Sequence, residues 1–105
     1  MIYELRIYKM HEGKLPDICN RFANHTLKYF PNYGIKVTDF WVDANGENTI
    51  CYICEFESKE KMAAAWESFK AAPEWIAAKA KSEEAGPIVA SVQSIIMEQA
   101  PFFTK

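Results

Sequence analysis

The sequence predicts an α+β fold in which one four-stranded antiparallel sheet carries its helices on a single face. Three observations predict it. Apolar residues alternate along residues 2–10, an Asn-Gly pair separates two runs rich in β-branched and aromatic side chains, and apolar residues recur at helical spacing after the first strand and before the last. The length of 105 residues suits one domain, so we expect residues 1–105 to form a single unit.

The first strand and the first helix are separated by a change in the apolar period. Residues 2–10 alternate in character, which is typical of a strand. After Gly13 the period becomes helical, and Pro31 and Gly34 mark the end of that helix. The strand presents Glu4, Arg6 and Tyr8 on one face and Tyr3, Leu5 and Ile7 on the other; the helical stripe is Leu15, Ile18, Cys19, Phe22, Thr26, Tyr29, Phe30 and Tyr33.

Two further strands are predicted on either side of Asn45-Gly46, over residues 35–43 and 49–57. The loop between them has two or three residues, and this choice decides which side chains share a face. We prefer the three-residue loop because it separates apolar from polar side chains. It places Phe40, Val42, Ile50, Tyr52, Cys54 and Phe56 on one face and Asp39, Trp41, Ile53 and Glu55 on the other.

The second half of the chain predicts another helical region and a last strand. Ser58 is suited to cap a helix. Pro73 cannot continue that helix but suits the first turn of a second one, which we expect to run from Glu74 to about residue 84. After a Gly-Pro pair, residues 88–98 alternate as a strand. The stripe of the capped helix is Met62, Ala65, Trp66 and Phe69.

The resulting order, β-α-β-β-α-β, is that of a ferredoxin-like fold. Two right-handed crossovers place both helical regions on one face of the sheet. The other face has no helix to cover it, and large apolar patches are uncommon on monomers. We therefore expect a homodimer in which two copies pair through these sheet faces. The uncovered face is expected to carry Tyr8, Trp41, Ile53, Ile95 and Met97.

Composition and charge argue against several classes of function. Twelve basic and fourteen acidic residues form no basic stripe, so no nucleic-acid partner is expected. The apolar runs are far shorter than the roughly 20 residues of a membrane span, and the chain begins without the pattern of a signal peptide, so no membrane partner is expected. Three cysteines, an odd number, favour reduced thiols and a cytoplasmic location.

A set of short segments, spread from the first strand to the tail, carries a family resemblance. The segments are Tyr3-Glu4-Leu5-Arg6-Ile7-Tyr8, His11-Glu12-Gly13-Lys14, His25, Gly34-Ile35-Lys36-Val37, Phe40-Trp41, Tyr52-Ile53-Cys54-Glu55-Phe56-Glu57-Ser58, Ala63-Ala64-Ala65-Trp66, Pro73-Glu74-Trp75 and Pro101-Phe102. In this order and spacing, over nearly the whole chain, the sequence resembles the NIPSNAP family.

The resemblance implies a dimeric α+β barrel, in agreement with the fold predicted above. Relatives on that scaffold include cofactor-free monooxygenases acting on aromatic polyketides, haem-degrading enzymes, isomerases and dehalogenases. A shared fold supports a function only by association.

His25 is the strongest single candidate for catalysis. It lies at the edge of the helical stripe, where its imidazole could reach a pocket between helix and sheet and transfer a proton near neutral pH. The alternative is a histidine at the boundary of the core that bonds a backbone carbonyl.

Glu4, Arg6 and Tyr8 share one face of the first strand, and we expect Glu55 to share it. Because an isolated buried charge is costly, these groups are expected to be paired. The favoured interpretation is an ion-pair network across the dimer interface, and the alternative is an anion-binding or acid-base cluster in a pocket. In this assignment His25 lies on the helix side of the sheet and Arg6 on the other side, so the two do not serve one site.

Cys51 and Cys54 have the spacing of a redox or zinc motif. In a strand, however, a separation of three residues sends the two side chains to opposite faces, and no second pair of Cys or His completes a metal site. The sequence therefore predicts no metal site and no cofactor.

Together, the sequence and the resemblance predict a cytoplasmic homodimer that binds a small apolar or aromatic molecule in a pocket between helices and sheet. Catalysis is left open: the scaffold suggests cofactor-free oxygenation or proton transfer, with His25 handling the proton. The alternative is a non-catalytic binding or accessory dimer whose polar residues hold the interface, and haem binding is a third, supported by the scaffold alone. The candidate ligand-binding residues are Tyr29, Trp41, Trp66, Arg6, Tyr8 and Glu55.

Overall fold

Four antiparallel strands form one sheet in the computed structural model, which describes residues 1–104. The strands are β1 (Ile2–Met10), β2 (Lys36–Val42), β3 (Thr49–Phe56) and β4 (Val89–Met97). Their spatial order is β2-β3-β1-β4, so β1 and β3 are central and β4 pairs with β1. This is the strand order of the split βαβ arrangement, and the predicted ferredoxin-like fold is confirmed.

The first helical region changes its winding along its length. It begins as α1 (Leu15–Arg21), widens into one π-helical segment, and continues through α2 (Leu27–Tyr29) into a 3₁₀ turn that ends at Gly34. The wide segment is Phe22–Thr26. Each residue of a π-helix turns through a smaller angle than in an α-helix, so residues four apart stay on one face. The buried side chains at this spacing are Phe22, Thr26 and Phe30.

The second helical region is a pair of helices, as the sequence predicts. In α3 (Lys59–Lys70) the Ser58 hydroxyl accepts a hydrogen bond from the backbone N–H of Lys61 at 3.1 Å. The following helix, α4 (Pro73–Ser82), has proline at its first position, where the missing N–H needs no partner. No helix among residues 1–104 is long and apolar enough to cross a membrane.

The β2–β3 hairpin adopts the preferred register beside its loop, but the predicted loop length of three is wrong, since six residues separate Val42 from Thr49. Phe40 lies opposite Tyr52 and Val42 lies opposite Ile50. An irregularity between Val37 and Asp39 shifts the pairing further along β2, which lets the strand keep its apolar face on the core.

We call the sheet face that packs against the helices the covered face and the other one the open face. On the covered face, β3 contributes alternate buried residues, and the helices contribute Ile18, Phe22, Phe30 and Phe69 to the same core. Trp41, Ile53, Ile95 and Met97 lie on the open face, as predicted. The last three lie opposite odd-numbered residues of β1, and Trp41 lies opposite Cys51, which itself lies opposite Ile7. The open face is formed by Tyr3, Leu5, Ile7, Asp39, Trp41, Cys51, Ile53, Glu55, Gln93, Ile95 and Met97.

One predicted orientation is wrong. Tyr8 and Arg6, together with Glu4, lie on the covered face, beside the helices. In β1 they lie opposite Ile50, Tyr52 and Cys54, the buried residues of β3. The sequence pattern was misleading because the apolar set of β1, at odd-numbered positions, faces away from the main core.

Candidate functional site

A carboxylate lies almost fully buried on the covered face. Glu4 is only 3% exposed and accepts three hydrogen bonds. They come from Arg6 Nη1 at 3.0 Å, from Trp66 Nε1 at 2.6 Å and from Ser94 Oγ at 2.6 Å. Both carboxylate oxygens are therefore bonded, which offsets much of the cost of removing the charge from water.

Arg6 connects this carboxylate to a pair of phenols. Its Nε donates to the Tyr52 hydroxyl at 3.0 Å and its Nη2 to the Tyr8 hydroxyl at 3.3 Å, and the two hydroxyl oxygens are 2.8 Å apart. The guanidinium also lies 4.3 Å from the centre of the Trp66 ring. Burial by itself disfavours the charge of Arg6, but the two tyrosines and Glu4 outweigh it and raise the pKa of Arg6 above its ordinary value. Burial also raises the pKa of Tyr52 well above its usual range, so this phenol stays neutral.

A cavity of about 760 Å³ opens beside this network, between the covered face and the helices. The sheet contributes Arg6 and Tyr8 of β1 and the first residues of β4, and the opposite wall comes from the first helical region, α3 and α4. Its lining is aromatic and cationic. The residues most relevant to its chemistry are Arg6, Tyr8, Arg21, Phe22, Phe30, Trp66, Phe69, Lys70, Trp75, Lys79 and Glu83.

Arg21 is the second guanidinium of the cavity and is 4% exposed. Its Nη1 donates to Ser82 Oγ at 3.2 Å and lies 3.7 Å from a carboxylate oxygen of Glu83. The guanidinium carbon lies 5.1 Å from the centre of the Trp75 ring. Burial lowers the pKa of Arg21 because the surroundings compensate its charge less completely than those of Arg6.

Three of the predicted site residues meet at this cavity: Arg6, Tyr8 and Trp66 all line it. His25 and Tyr29 do not. Both are half-buried on the first helical region, with ring centres 6.3 Å apart, and neither belongs to the cavity wall. The π-helical segment places Thr26 on the inner face instead of His25.

The remaining two predicted residues lie on the open face, away from the cavity. Trp41 is 50% exposed there, and Glu55 forms an ion pair with Lys36 at 3.5 Å. The expectation that Arg6 and Glu55 share a face is therefore wrong, because the β1–β3 register places Arg6 opposite Tyr52.

The sequence analysis missed Arg21 and Lys79 as site residues. Arg21 follows Ile18 by three positions and precedes Phe22, so the helical spacing itself places it on the inner face. A basic residue at such a position is a signal, since arginine is almost never fully buried unless it is paired. Lys79 follows Trp75 by four positions on α4, so the helical spacing places the two side chains on the same side of that helix.

Cys51 and Cys54 point to opposite faces of β3, as predicted, and both are free thiols. Cys54 is buried on the covered face, where burial and the nearby Glu4 carboxylate raise its pKa to about 12. A thiol held in this protonated form is a poor nucleophile. Residues 1–104 contain no group of three or more His, Cys, Asp or Glu side chains arranged to hold a metal ion.

Comparison with solved structures relates the fold to two groups of proteins. An uncharacterised NIPSNAP domain protein from Burkholderia xenovorans superimposes with a TM-score of 0.84 at 22% identity, over 100% of both chains. A NIPSNAP family protein of unknown function from Agrobacterium tumefaciens gives a TM-score of 0.84 at 20% identity, over 98% of this chain and 91% of that one. SnoaB, a cofactor-independent oxygenase from Streptomyces nogalater, gives a TM-score of 0.67 at 12% identity, over 99% and 97% of the two chains.

Identities this low show a common fold and nothing about activity. No curated protein matches the sequence. The family model for NIPSNAP, in contrast, matches residues 3–103, from the first strand to the apolar tail. The chain therefore belongs to the NIPSNAP family.

Proposed function

We propose that this protein binds a small aromatic molecule in the cavity between the covered face and the helices. The observation that carries the proposal is the cavity itself, whose volume of about 760 Å³ falls in the range of small-molecule sites. Aromatic rings form much of its wall, with a few polar groups at fixed positions. Such a lining favours flat ligands, because ring–ring contacts add to the gain from apolar burial.

Binding can be measured through the tryptophans that line the cavity. Trp66 and Trp75 belong to the wall, whereas Trp41 is on the open face, so a Trp41→Phe background isolates the cavity signal. We expect 2-naphthamide, a neutral aromatic probe, to quench this fluorescence with saturation. Ala80→Phe should weaken binding about tenfold by filling the cavity, a loss of about 1.4 kcal/mol.

The control is Ala77→Phe, an exposed residue of the same helix that does not line the cavity. It should bind 2-naphthamide as the background does. Absence of saturable quenching, or equal affinities for the two phenylalanine variants, would overturn the proposed site.

A second candidate function is catalysis on the bound molecule, and the position of Tyr8 favours it. Tyr8 lines the cavity, and its hydroxyl is bonded to both Arg6 and Tyr52, so it can pass a proton to or from a ligand along a fixed network. The oxygenase SnoaB has the same fold without a cofactor. A phenolic ring that takes up O₂ to become a quinone supplies its own electrons: one oxygen atom enters the ring and the other leaves as water.

Oxygen uptake with a panel of anthrones and quinols tests catalysis. We expect turnover to fall about 10²-fold or more in Tyr8→Phe and to persist in Tyr29→Phe. Loss of turnover in His25→Ala, with Tyr8→Phe active, would assign the proton transfer to His25 instead. Binding without turnover across the panel would support the non-catalytic accessory function.

We further propose that two copies pair through their open faces. The support is that no helix covers this face, although it carries four aliphatic residues and two aromatic rings, with Trp41 50% exposed. The apolar tail, residues 100–103, lies beside the same face, and its Phe102 is 90% exposed. Exposed apolar area of this kind is typical of interfaces.

The three cysteines, being unpaired, support a cytoplasmic setting.

Sedimentation tests the pairing. The protein should sediment near twice the chain mass of 12.1 kDa, and Ile53→Lys, in the middle of the open face, should sediment as a single chain. Val42→Lys is the control, since Val42 is exposed but lies opposite Ile50 at the edge of the covered face. A folded wild-type monomer at micromolar concentration would exclude this interface.

A further inference from the structure

We propose that the ligand of this cavity carries a single negative charge, as an aromatic carboxylate does, and that Arg21 binds it with help from Lys79. This inference rests on the proposed function, because it specifies the chemistry of the molecule that the cavity accepts. The inference adds to the proposed function a charge for the ligand and a binding role for Arg21, which lies outside the Glu4–Arg6 network.

The first observation is that Arg21 has unused hydrogen-bonding capacity. Its Nε is fully buried and has no hydrogen-bond partner within residues 1–104, although a guanidinium offers five N–H donors. The hydrogen bond that Nη1 donates, to Ser82 Oγ, leaves the edge formed by Nε unpaired. Native proteins seldom leave such a donor without an acceptor, because a buried polar group loses its hydrogen bonds to water without replacement. A ligand oxygen would satisfy it once the guanidinium turns toward the cavity, because the buried Nε itself has no accessible surface.

The second observation is the charge of the cavity wall. Arg6, Arg21, Lys70 and Lys79 line it, and the only carboxylate of that lining is Glu83. The chain as a whole has a formal net charge of −2, so the excess of positive charge is a local property. A cleft of one sign with low-dielectric walls concentrates ligands of the opposite sign.

The positive groups differ in how far they are already compensated. Arg6 is bonded to the buried carboxylate of Glu4, which removes it from the competition for a ligand. Arg21 has Glu83 at 3.7 Å, longer than a hydrogen bond, and neither lysine forms a salt bridge within residues 1–104. The least compensated charges are therefore those of Lys70 and Lys79, with Arg21 compensated only in part, all on the helical wall of the cavity.

The third observation concerns the shape and charge of the ligand. Arg21 lies over Trp75, and the Trp75 ring is stacked on Phe69 with centres 4.9 Å apart. A planar molecule with an acidic group at one end would place its ring among these aromatic side chains and its oxygens at the guanidinium. Glu83 would repel a doubly charged group more strongly, which favours a carboxylate over a phosphate.

The test compares 2-naphthoate with 2-naphthamide, which have nearly the same shape and differ by one charge. In the Trp41→Phe background, naphthoate should bind at least about tenfold more tightly, because hydrogen bonds to a charged group are stronger than those to a neutral one. Arg21→Gln should remove most of this preference, measured as the ratio of the two affinities on the same variant. A thermal denaturation curve shows that the variant is folded.

A second pair of variants decides the matter if Arg21→Gln does not fold. Lys79→Met removes an exposed cation from the cavity wall, and Lys28→Met removes an equal charge from an exposed site outside it. Naphthoate affinity should fall about threefold or more in the first and stay constant in the second.

The outcomes separate the inference from the proposal on which it rests. If both probes bind with equal affinity, or if Lys79→Met and Lys28→Met have equal effects, the anionic ligand is excluded while the aromatic site remains. If neither probe binds, the proposed site itself fails.

Discussion

The covered and open faces of the sheet handle charge in different ways. On the covered face, Glu4 and Arg6 form an ion pair at 3.0 Å in which both side chains are largely removed from water. On the open face, Lys36 and Glu55 form a pair at 3.5 Å in which the lysine remains 70% exposed. The buried pair is held by additional hydrogen bonds from Trp66 and other groups, whereas the exposed pair has none among residues 1–104.

The two pairs differ in how far hydrogen bonds compensate the removal of their charges from water. Removing a charge from water is costly, so a buried ion pair persists only when most of its hydrogen-bonding capacity is satisfied. The network around Arg6 meets this condition and holds Tyr8 and Trp66 in fixed positions on the cavity wall. The open face, in contrast, combines apolar side chains with a solvated ion pair, which suits a surface for contact with another chain.

The largest expected effect is the loss of stability when the cation of the buried pair is deleted, and deletion of the cation of the exposed pair is the comparison. Arg6→Met leaves the Glu4 carboxylate buried without its counter-charge and should lower the free energy of unfolding by about 3–5 kcal/mol. Lys36→Met, on the open face, should lower it by less than about 1 kcal/mol. Urea denaturation at one fixed protein concentration measures both. Equal losses would contradict the contrast between the two faces.

The two cysteines of β3 give a chemical comparison of the faces. With its pKa raised to about 12, Cys54 has on the order of 10⁻⁴ of its thiol ionised at pH 8, whereas an ordinary cysteine has about a quarter. Iodoacetamide should therefore label Cys51 in the Cys54→Ser variant far faster than Cys54 in the Cys51→Ser variant, as followed by mass spectrometry. The Ile53→Lys background, which we propose to be monomeric, removes any protection of Cys51 by a partner. Comparable rates would show that the covered face opens readily.

A smaller decrease in the free energy of unfolding is expected at alkaline pH. Cys54 and Tyr52 both have raised pKa values in the folded protein, so each keeps its proton at a pH where the unfolded chain has lost it. The contribution of these two groups to the free energy of unfolding should be constant below about pH 9 and then fall by up to about 1.4 kcal/mol per pH unit for each group, for Cys54 until about pH 12.

Single variants assign this alkaline slope to its groups. Cys54→Ala should remove the part that begins near pH 9, and Tyr52→Phe the part that begins near the ordinary tyrosine pKa of about 10. Cys51→Ala, on the open face, is the control and should keep the full slope. A slope unchanged in both covered-face variants would show that other groups carry it.

Much of the fold could be predicted from the sequence because local signals agreed with one another. Asn45-Gly46 fixed a hairpin, Ser58 and Pro73 marked two helix starts, and the register that separated polar from apolar side chains was the one observed. The candidate site was predicted only in part. Arg6, Tyr8 and Trp66 were identified, but Arg6 and Tyr8 were assigned to the wrong face, and His25 was favoured over Arg21.

The misassignments have a physical cause. Alternation along β1 defines two sets of side chains but does not say which set faces the helices, and here the polar set does. A strand pattern cannot show that Glu4 and Arg6 form hydrogen bonds with Tyr52, Trp66 and Ser94. Those partners come from β3, α3 and β4, far away in the sequence.

By itself, the sequence determined the elements, their order and the hairpin register, since these depend on periodicity, caps and turn residues within short stretches of chain. Only the tertiary structure decided which face of β1 is covered, and so which residues share the cavity. That choice depends on pairing free energies between distant residues: a carboxylate and a guanidinium are tolerated in the interior because Trp66, Ser94 and Tyr52 supply their partners. The widened turn Phe22–Thr26 likewise keeps Thr26, a member of the predicted helical stripe, on the inner face and leaves His25 outside the cavity wall. This change of winding does not follow from the apolar spacing.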